Sequence, residues 1–152
     1  MYFMFYDDFQ VVFQEVPGEI SLCFSISGCP LRCEGCHSPF LWKEGNGNEL
    51  TPEYFQTLLD QYSGFATCVV FMGGEWHREE LVANLKYARQ QGYSACLYTG
   101  EDHIPINILE HLTWIKTGKW DKDLGGLDSH TTNQIFKEVM TNRMLNHLFI
   151  SK

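Results

Sequence analysis

The sequence predicts an α/β protein whose fold is a partial, open parallel β/α barrel of about five to six strands. Apolar segments of strand length alternate with segments of helical periodicity, and several of the apolar segments end in glycine. A complete eight-unit barrel needs about 250 residues, whereas this chain has 152. No internal repeat or long linker divides the chain, so we expect a single domain over residues 1–152.

The first two predicted strands flank a turn. Pro17-Gly18 is a turn pair, and the residues on either side, Val11 to Val16 and Glu19 to Gly28, have the composition of strands. In the second strand, apolar residues alternate with small residues that are mostly polar, which indicates one buried and one polar face. The apolar members of this alternation are Ile20, Leu22, Phe24 and Ile26.

The middle of the chain predicts two further strand–helix units. Thr51-Pro52-Glu53 indicates a helix start, because threonine caps the first turn and proline suits the first helical position. The continuous apolar run from Ala66 to Met72 predicts a parallel strand covered on both faces. A helix is predicted from about Arg78 to Gln91, with Gly92 as its stop.

Later segments continue the alternation with a strand at Tyr93 to Tyr98, a short helix near Ile106 to Glu110, and a strand at Leu112 to Lys116. The pattern of Ile135 to Ile150 is compatible with strand or helix. Right-handed crossovers would bring the strand ends to one edge, which is where ligands bind in such folds. Glycine-containing pairs mark these ends: Ser27-Gly28, Gly73-Gly74, Thr99-Gly100 and Thr117-Gly118.

The composition restricts the partners and the location. The formal net charge is −8, and no basic stripe is present, which argues against nucleic acid as a partner. No apolar run approaches the length of a membrane span, so we expect no membrane association. The N-terminal residues Met1 to Asp8 lack the features of a secretion signal. We therefore expect a cytoplasmic protein whose six cysteines are reduced.

Three of those cysteines, Cys29, Cys33 and Cys36, follow the second strand with the spacing C-x3-C-x2-C. Thiolates select zinc, copper(I) or an iron–sulfur cluster. Three thiolates can hold three irons of a 4Fe-4S cluster and leave the fourth iron open to a ligand. Zinc, with His37 as a fourth ligand, is the alternative; we favour the cluster because no second ligand pair follows. Cys68 and Cys96 lie in apolar runs, where buried and inert thiols are expected.

The cysteine loop, together with Gly73-Gly74-Glu75 at the end of the next parallel strand, resembles the radical S-adenosylmethionine superfamily. Within it, five segments resemble the activating enzymes of anaerobic ribonucleoside-triphosphate reductases, and the similarity extends from about residue 10 to residue 134. These segments are Val12 to Pro17, Ser25 to Pro30, Gly35 to Pro39, Gly125 to Ser129 and Thr131 to Gln134.

The resemblance implies roles for individual residues. The three cysteines would ligate a 4Fe-4S cluster whose fourth iron binds S-adenosylmethionine. Gly73, Gly74 and Glu75 would receive the methionine amino group of that cosubstrate. Tyr98 is a candidate contact for the adenosyl group, with core packing as the alternative. Lys116 and Lys119 are candidates for the cosubstrate carboxylate, with simple solvation as the alternative.

The implied activity is reductive cleavage of S-adenosylmethionine, followed by generation of a glycyl radical on the large subunit of the reductase. The implied electron donor is a flavodoxin or a ferredoxin. Gly118 to Leu127 is expected near the reductase or the mouth of the site, with a solvated surface loop as the alternative. Competing functions are activation of another glycyl-radical enzyme, such as pyruvate formate-lyase, and a non-enzymatic iron–sulfur or zinc-binding role.

Overall fold

A computed structural model of the chain describes residues 4–27 and 47–150. In these ranges the helices are α1 (Pro52–Gln61), α2 (Arg78–Gln90) and α3 (Ile106–Leu109), followed near the end by a 3-10 helix at Asn146–Phe149. The strands are β1 (Met4–Val12), β2 (Ser21–Ile26), β3 (Asn48–Leu50), β4 (Cys68–Met72), β5 (Ser94–Tyr98), β6 (Trp114–Thr117), β7 (Ile135–Glu138) and β8 (Arg143–Met144).

The described strands form one mixed sheet in the order β3-β1-β2-β4-β5-β6-β7-β8. Its centre consists of β2, β4, β5 and β6, which are parallel to one another. This confirms the predicted parallel strands and brings their carboxyl ends to one edge. Antiparallel strands extend the sheet on both sides, and the partial barrel stays a prediction.

The first strand lies earlier in the chain than predicted. The sequence pattern placed it at Val11 to Val16, whereas β1 ends at Val12 and the chain then turns. β1 pairs with β2 on one side and with β3 on the other, so residues 4–12 gain two sets of ladder hydrogen bonds. The predicted strand at Val11 to Val16 was therefore wrong, because long-range pairing decided the boundary. The ambiguous segment Ile135 to Ile150 contains β7, β8 and the 3-10 helix.

Helix α1 begins as the sequence predicts. Thr51 Oγ1 accepts a hydrogen bond from the Tyr54 amide at 3.1 Å, which satisfies one amide of the first turn. Pro52 occupies the first helical position. The helix buries Phe55, Leu58 and Leu59 against the sheet.

The sheet separates two apolar layers because successive strand residues point to opposite faces. The face covered by α1, α2 and α3, here called the helix face, contains Phe24, Val69 and Phe71. The opposite face, here called the loop face, packs against Val16 and Leu127, which lie outside the eight strands. Its buried members are Val16, Cys23, Cys68, Val70, Cys96, Leu127 and Phe136.

Cys68 and Cys96 are buried on the loop face, as predicted, together with Cys23. Burial raises the pKa of the Cys23 and Cys68 thiols to about 12. Because the thiolate is the reactive form, these thiols are inert near neutral pH. None of the helices in the described part of the chain is both long and apolar enough to cross a bilayer.

Candidate functional site

The carboxyl ends of three adjacent parallel strands carry the polar groups of the candidate site. Glu75 follows β4, Thr99 follows β5, and Lys116 lies at the end of β6. Thr99 and Lys116 are buried. Buried polar groups are costly unless they are hydrogen-bonded, so the contacts of these three side chains define what the edge can bind.

Gly73 and Gly74 have backbone conformations that favour glycine, with φ of +81° and +109°. The Gly73 amide donates to the Tyr98 carbonyl at 2.8 Å, which joins the ends of β4 and β5. A Cβ atom at Gly73 would lie 2.5 Å from Cη2 of Trp76, and one at Gly74 would lie 2.9 Å from Cε of Met4. The turn that presents Glu75 therefore requires both glycines.

The Glu75 carboxylate has one partnered and one available oxygen. Its Oε1 accepts a hydrogen bond from Thr99 Oγ1 at 2.5 Å. Its Oε2 is buried and has no hydrogen-bond partner among the described residues. Burial raises the pKa of Glu75, and the bond from Thr99 opposes that shift. An unsatisfied buried carboxylate oxygen at a strand end is suited to accept a donor from a ligand.

Lys116 joins the ends of β5 and β6. Its Nζ donates to the Thr99 carbonyl at 3.2 Å and to the Gly118 carbonyl at 2.8 Å. The ammonium group of Lys116 therefore lies beside Thr99, whose hydroxyl bonds to Glu75. Sequence reasoning proposed Lys116 but missed Thr99, although the Thr99-Gly100 strand end was a visible signal. Lys119 is exposed, and its backbone carbonyl accepts a bond from the Asn133 side chain at 3.2 Å.

Tyr98 lies on the loop face. Its ring packs edge-on against Phe136, with the ring centroids 6.1 Å apart. Its hydroxyl donates to the Glu15 carbonyl, and burial raises its pKa strongly. Core packing, the alternative weighed from the sequence, thus describes its contacts here, and the adenosyl contact stays a prediction.

Residues 118–134 form a loop that is ordered by side-chain hydroxyl groups. Ser129 Oγ and Thr131 Oγ1 both donate to the Leu124 carbonyl at 2.8 Å. Gln134 Nε2 donates at 3.3 Å to the Gly118 carbonyl, which also accepts from Lys116. These bonds connect the loop to Gly118 at the end of β6, and the position of Gly118 to Leu127 near the mouth of a site stays a prediction.

The predicted cluster ligands Cys29, Cys33 and Cys36, like His37, lie outside the described residues. The last described residue before them is Ser27, at the same edge of the sheet. Its amide donates to the Phe5 carbonyl at 2.9 Å, and its carbonyl accepts from Nε1 of Trp76 at 2.9 Å. Since Trp76 also lies against Gly73, Ser27 and the Gly73 turn are packed against the same indole ring.

Comparison with known proteins identifies the class of domain. Residues 17–124 match the family model described as a 4Fe-4S single cluster domain. This match covers more than half of the 152-residue chain, so the chain belongs to that family. The prediction of a 4Fe-4S protein is confirmed at this level, and the zinc alternative loses its support.

One curated relative is the pyruvate formate-lyase-activating enzyme of Clostridium pasteurianum. The chain is 35% identical to it over 92 residues, which are 55% of this chain and 37% of that enzyme. The chain therefore spans well under two thirds of the length of this relative. No solved structure matches the chain.

Proposed function

We propose that this chain is a radical S-adenosylmethionine enzyme that activates a glycyl-radical enzyme, specifically an anaerobic ribonucleoside-triphosphate reductase. The observation that carries the proposal is the buried Glu75 oxygen without a partner among the described residues, at the strand edge of a domain that belongs to a 4Fe-4S family. Similarity to an activating enzyme supports the reaction class. The partial barrel is part of the same proposal.

The contacts of the described residues support the proposed cosubstrate. Glu75 Oε2 would accept a hydrogen bond from the methionine ammonium group, and the glycine turn before it would let that group approach the backbone. Lys116 adds a positive charge on the same edge, which suits the methionine carboxylate. Cys29, Cys33 and Cys36 would hold three irons of the cluster.

The chain's own contribution is binding, orientation and exclusion of water. Held by Cys29, Cys33 and Cys36, the cluster would supply one electron for cleavage of a carbon–sulfur bond of S-adenosylmethionine, with methionine and 5′-deoxyadenosine as the products once a hydrogen atom is taken from a glycine of the target. The apolar loop face would keep water away from this chemistry, since Val16, Leu127 and Phe136 are buried there. A flavodoxin or a ferredoxin would provide the electron.

One observation favours the proposed target, and another favours the second candidate. The loop that bonds to Gly118, beside Lys116, contains two segments that resemble reductase-activating enzymes, Gly125 to Ser129 and Thr131 to Gln134. The relative from Clostridium pasteurianum instead favours a target of the pyruvate formate-lyase type. We rank the reductase first because the segments that resemble reductase-activating enzymes include residues that contact the candidate site.

Anaerobic reconstitution with iron and sulfide, followed by dithionite and S-adenosylmethionine, tests the reaction class. We expect release of 5′-deoxyadenosine and its loss in Glu75→Ala, whereas the control Glu79→Ala, an exposed position on α2, should retain it. Zinc in the native protein without any cleavage would contradict the proposal.

The target is tested separately by electron paramagnetic resonance. The reduced enzyme is mixed with S-adenosylmethionine and with each candidate protein, the ribonucleotide reductase or pyruvate formate-lyase. A glycyl radical signal on the reductase is expected. A signal on pyruvate formate-lyase alone would transfer the assignment to the second candidate while leaving the reaction class intact.

A further inference from the structure

We propose that Thr99 is a positioning residue: its hydroxyl holds one oxygen of Glu75, so that the other oxygen is directed at the ammonium group of an amino-acid ligand, and Lys116 holds Thr99 in place. The inference rests on the proposed function, because the amino-acid ligand is the methionine part of S-adenosylmethionine. It assigns a role to two residues that the cluster and the glycine turn do not explain.

The hydroxyl of Thr99 makes two hydrogen bonds that fix its direction. It donates to Glu75 Oε1 at 2.5 Å and accepts from the Glu101 amide at 3.0 Å. A hydroxyl has one donor, and that donor is used on Glu75. The carboxylate can therefore not rotate without breaking a short bond inside a buried site. This geometry fixes Oε2, the oxygen that lacks a partner among the described residues.

The backbone of Thr99 is fixed as well. Its amide donates to the Lys116 carbonyl at 2.9 Å, and its carbonyl accepts from Lys116 Nζ at 3.2 Å. Thr99 is thus bonded to Lys116 through both backbone groups and to Glu75 through its side chain. Because Lys116 also bonds to Gly118, the position of Thr99 depends on the end of β6.

The bond from Thr99 also affects the ionisation of Glu75. Burial raises the pKa of the Glu75 carboxyl, the Thr99 hydroxyl and the Glu75 amide lower it, the charge of Glu101 raises it, and Lys116 lowers it to a smaller extent. An ionised Glu75 forms a stronger hydrogen bond to an ammonium group than a neutral one does. Removing the Thr99 hydroxyl should therefore weaken ligand binding in two ways, by misdirecting Oε2 and by making Glu75 harder to ionise.

The test compares Thr99→Val, which keeps the shape of the side chain but removes the hydroxyl, with Thr99→Ser, which keeps the hydroxyl. In the reconstituted, reduced enzyme we expect Thr99→Val to raise the KM for S-adenosylmethionine roughly tenfold, equivalent to one lost charge-assisted hydrogen bond. The value of kcat should change much less, and Thr99→Ser should be close to the wild type. Thr57→Val is the control, because Thr57 is exposed on α1 and its hydroxyl donates to the Glu53 carbonyl of the same helix.

The pH profile and a double-mutant cycle separate positioning from a merely structural role. In Thr99→Val the acid limb of kcat/KM should move to higher pH, because the bond that lowers the pKa of Glu75 is lost. In a Glu75→Gln background, Thr99→Val should have little further effect. Lys116→Met provides a second test. It should also move the acid limb of kcat/KM to higher pH, and it can be measured even where Thr99→Val folds poorly.

An unchanged KM and an unchanged acid limb in both Thr99→Val and Lys116→Met would overturn the inference. So would equal effects of Thr99→Val with and without Glu75. These outcomes require a wild-type enzyme that cleaves S-adenosylmethionine. A wild-type protein that forms its cluster but releases no 5′-deoxyadenosine would instead overturn the proposed function itself.

Discussion

Replacing Gly73 with alanine tests the packing of Trp76 between the glycine turn and Ser27. Gly73 has φ of +81°, and a left-handed conformation costs an L-residue about 1–2 kcal/mol. The added Cβ atom would also lie 2.5 Å from Cη2 of Trp76. The indole cannot move freely, because its Nε1 donates to the Ser27 carbonyl and its ring packs against the helix-face core.

The expected cost follows from these contributions. Displacing a packed side chain costs about 1–3 kcal/mol, in addition to the backbone term, which gives about 2–5 kcal/mol for Gly73→Ala. Gly64→Ala is the matched control: φ is +82° there, and a Cβ atom would have nothing within 4 Å. The control should therefore show the backbone cost of about 1–2 kcal/mol alone.

The assay is anaerobic urea unfolding of the two variants and the wild type, with thermal melting as a second measurement. For a chain of this size each kcal/mol lowers Tm by about 2–4 °C. Gly73→Ala should also assemble its cluster less completely, because displacing Trp76 disturbs Ser27, which lies two residues before Cys29. Equal losses of stability in Gly73→Ala and Gly64→Ala would refute the reasoning, since the two positions differ chiefly in the contact with Trp76.

Three further predictions concern the cysteines, Glu75 and the first helix. Cys33→Ser should abolish cluster assembly, measured as bound iron and sulfide, whereas Cys68→Ala should retain the cluster. A folded Cys68→Ala variant without a cluster would contradict the assignment of Cys68 to the core. Glu75→Gln should stabilise the ligand-free protein near neutral pH. A carboxyl whose pKa is raised in the folded state makes the folded protein less stable as the pH rises above the ordinary pKa of that carboxyl. The gain from Glu75→Gln should therefore shrink on acidification, and a gain independent of pH would contradict this. Thr51→Ala should cost about 1 kcal/mol in urea unfolding through loss of the α1 cap, and no loss would show that the bond from the Tyr54 amide contributes little.

The sequence predicted elements whose signals are local. Thr51-Pro52 marks the start of α1, and the apolar run that ends at Met72 marks β4, because capping and continuous burial leave short-range patterns. β1 was misplaced because its extent depends on pairing with β2 and β3, which are distant in the chain. Such pairing has no equivalent signal within a short window of residues.

The same distinction applies to the candidate site. Gly73-Gly74-Glu75 could be found as a short motif, and the structure shows why the glycines are required there. The strand end Thr99-Gly100 was visible in the sequence, but the contact of Thr99 with Glu75 was not, because Glu75 lies 24 positions earlier and meets Thr99 only through the parallel pairing of β4 with β5. The adjacent residue shows the same limit, because Tyr98 directly precedes Thr99 in the sequence but its hydroxyl donates to the Glu15 carbonyl on the loop face.

The arrangement of Glu75, Thr99 and Lys116 is more easily explained by ligand binding than by stability. Burying a carboxylate and an ammonium group is costly, and apolar residues of similar volume are often at least as stable. The chain satisfies Lys116 with two carbonyls and Oε1 with Thr99, but it gives Oε2 no partner among the described residues. Under the proposed function a ligand donor would bond to Oε2, and a ligand that binds only the folded state stabilises it by an amount that grows with the logarithm of the ligand concentration divided by Kd.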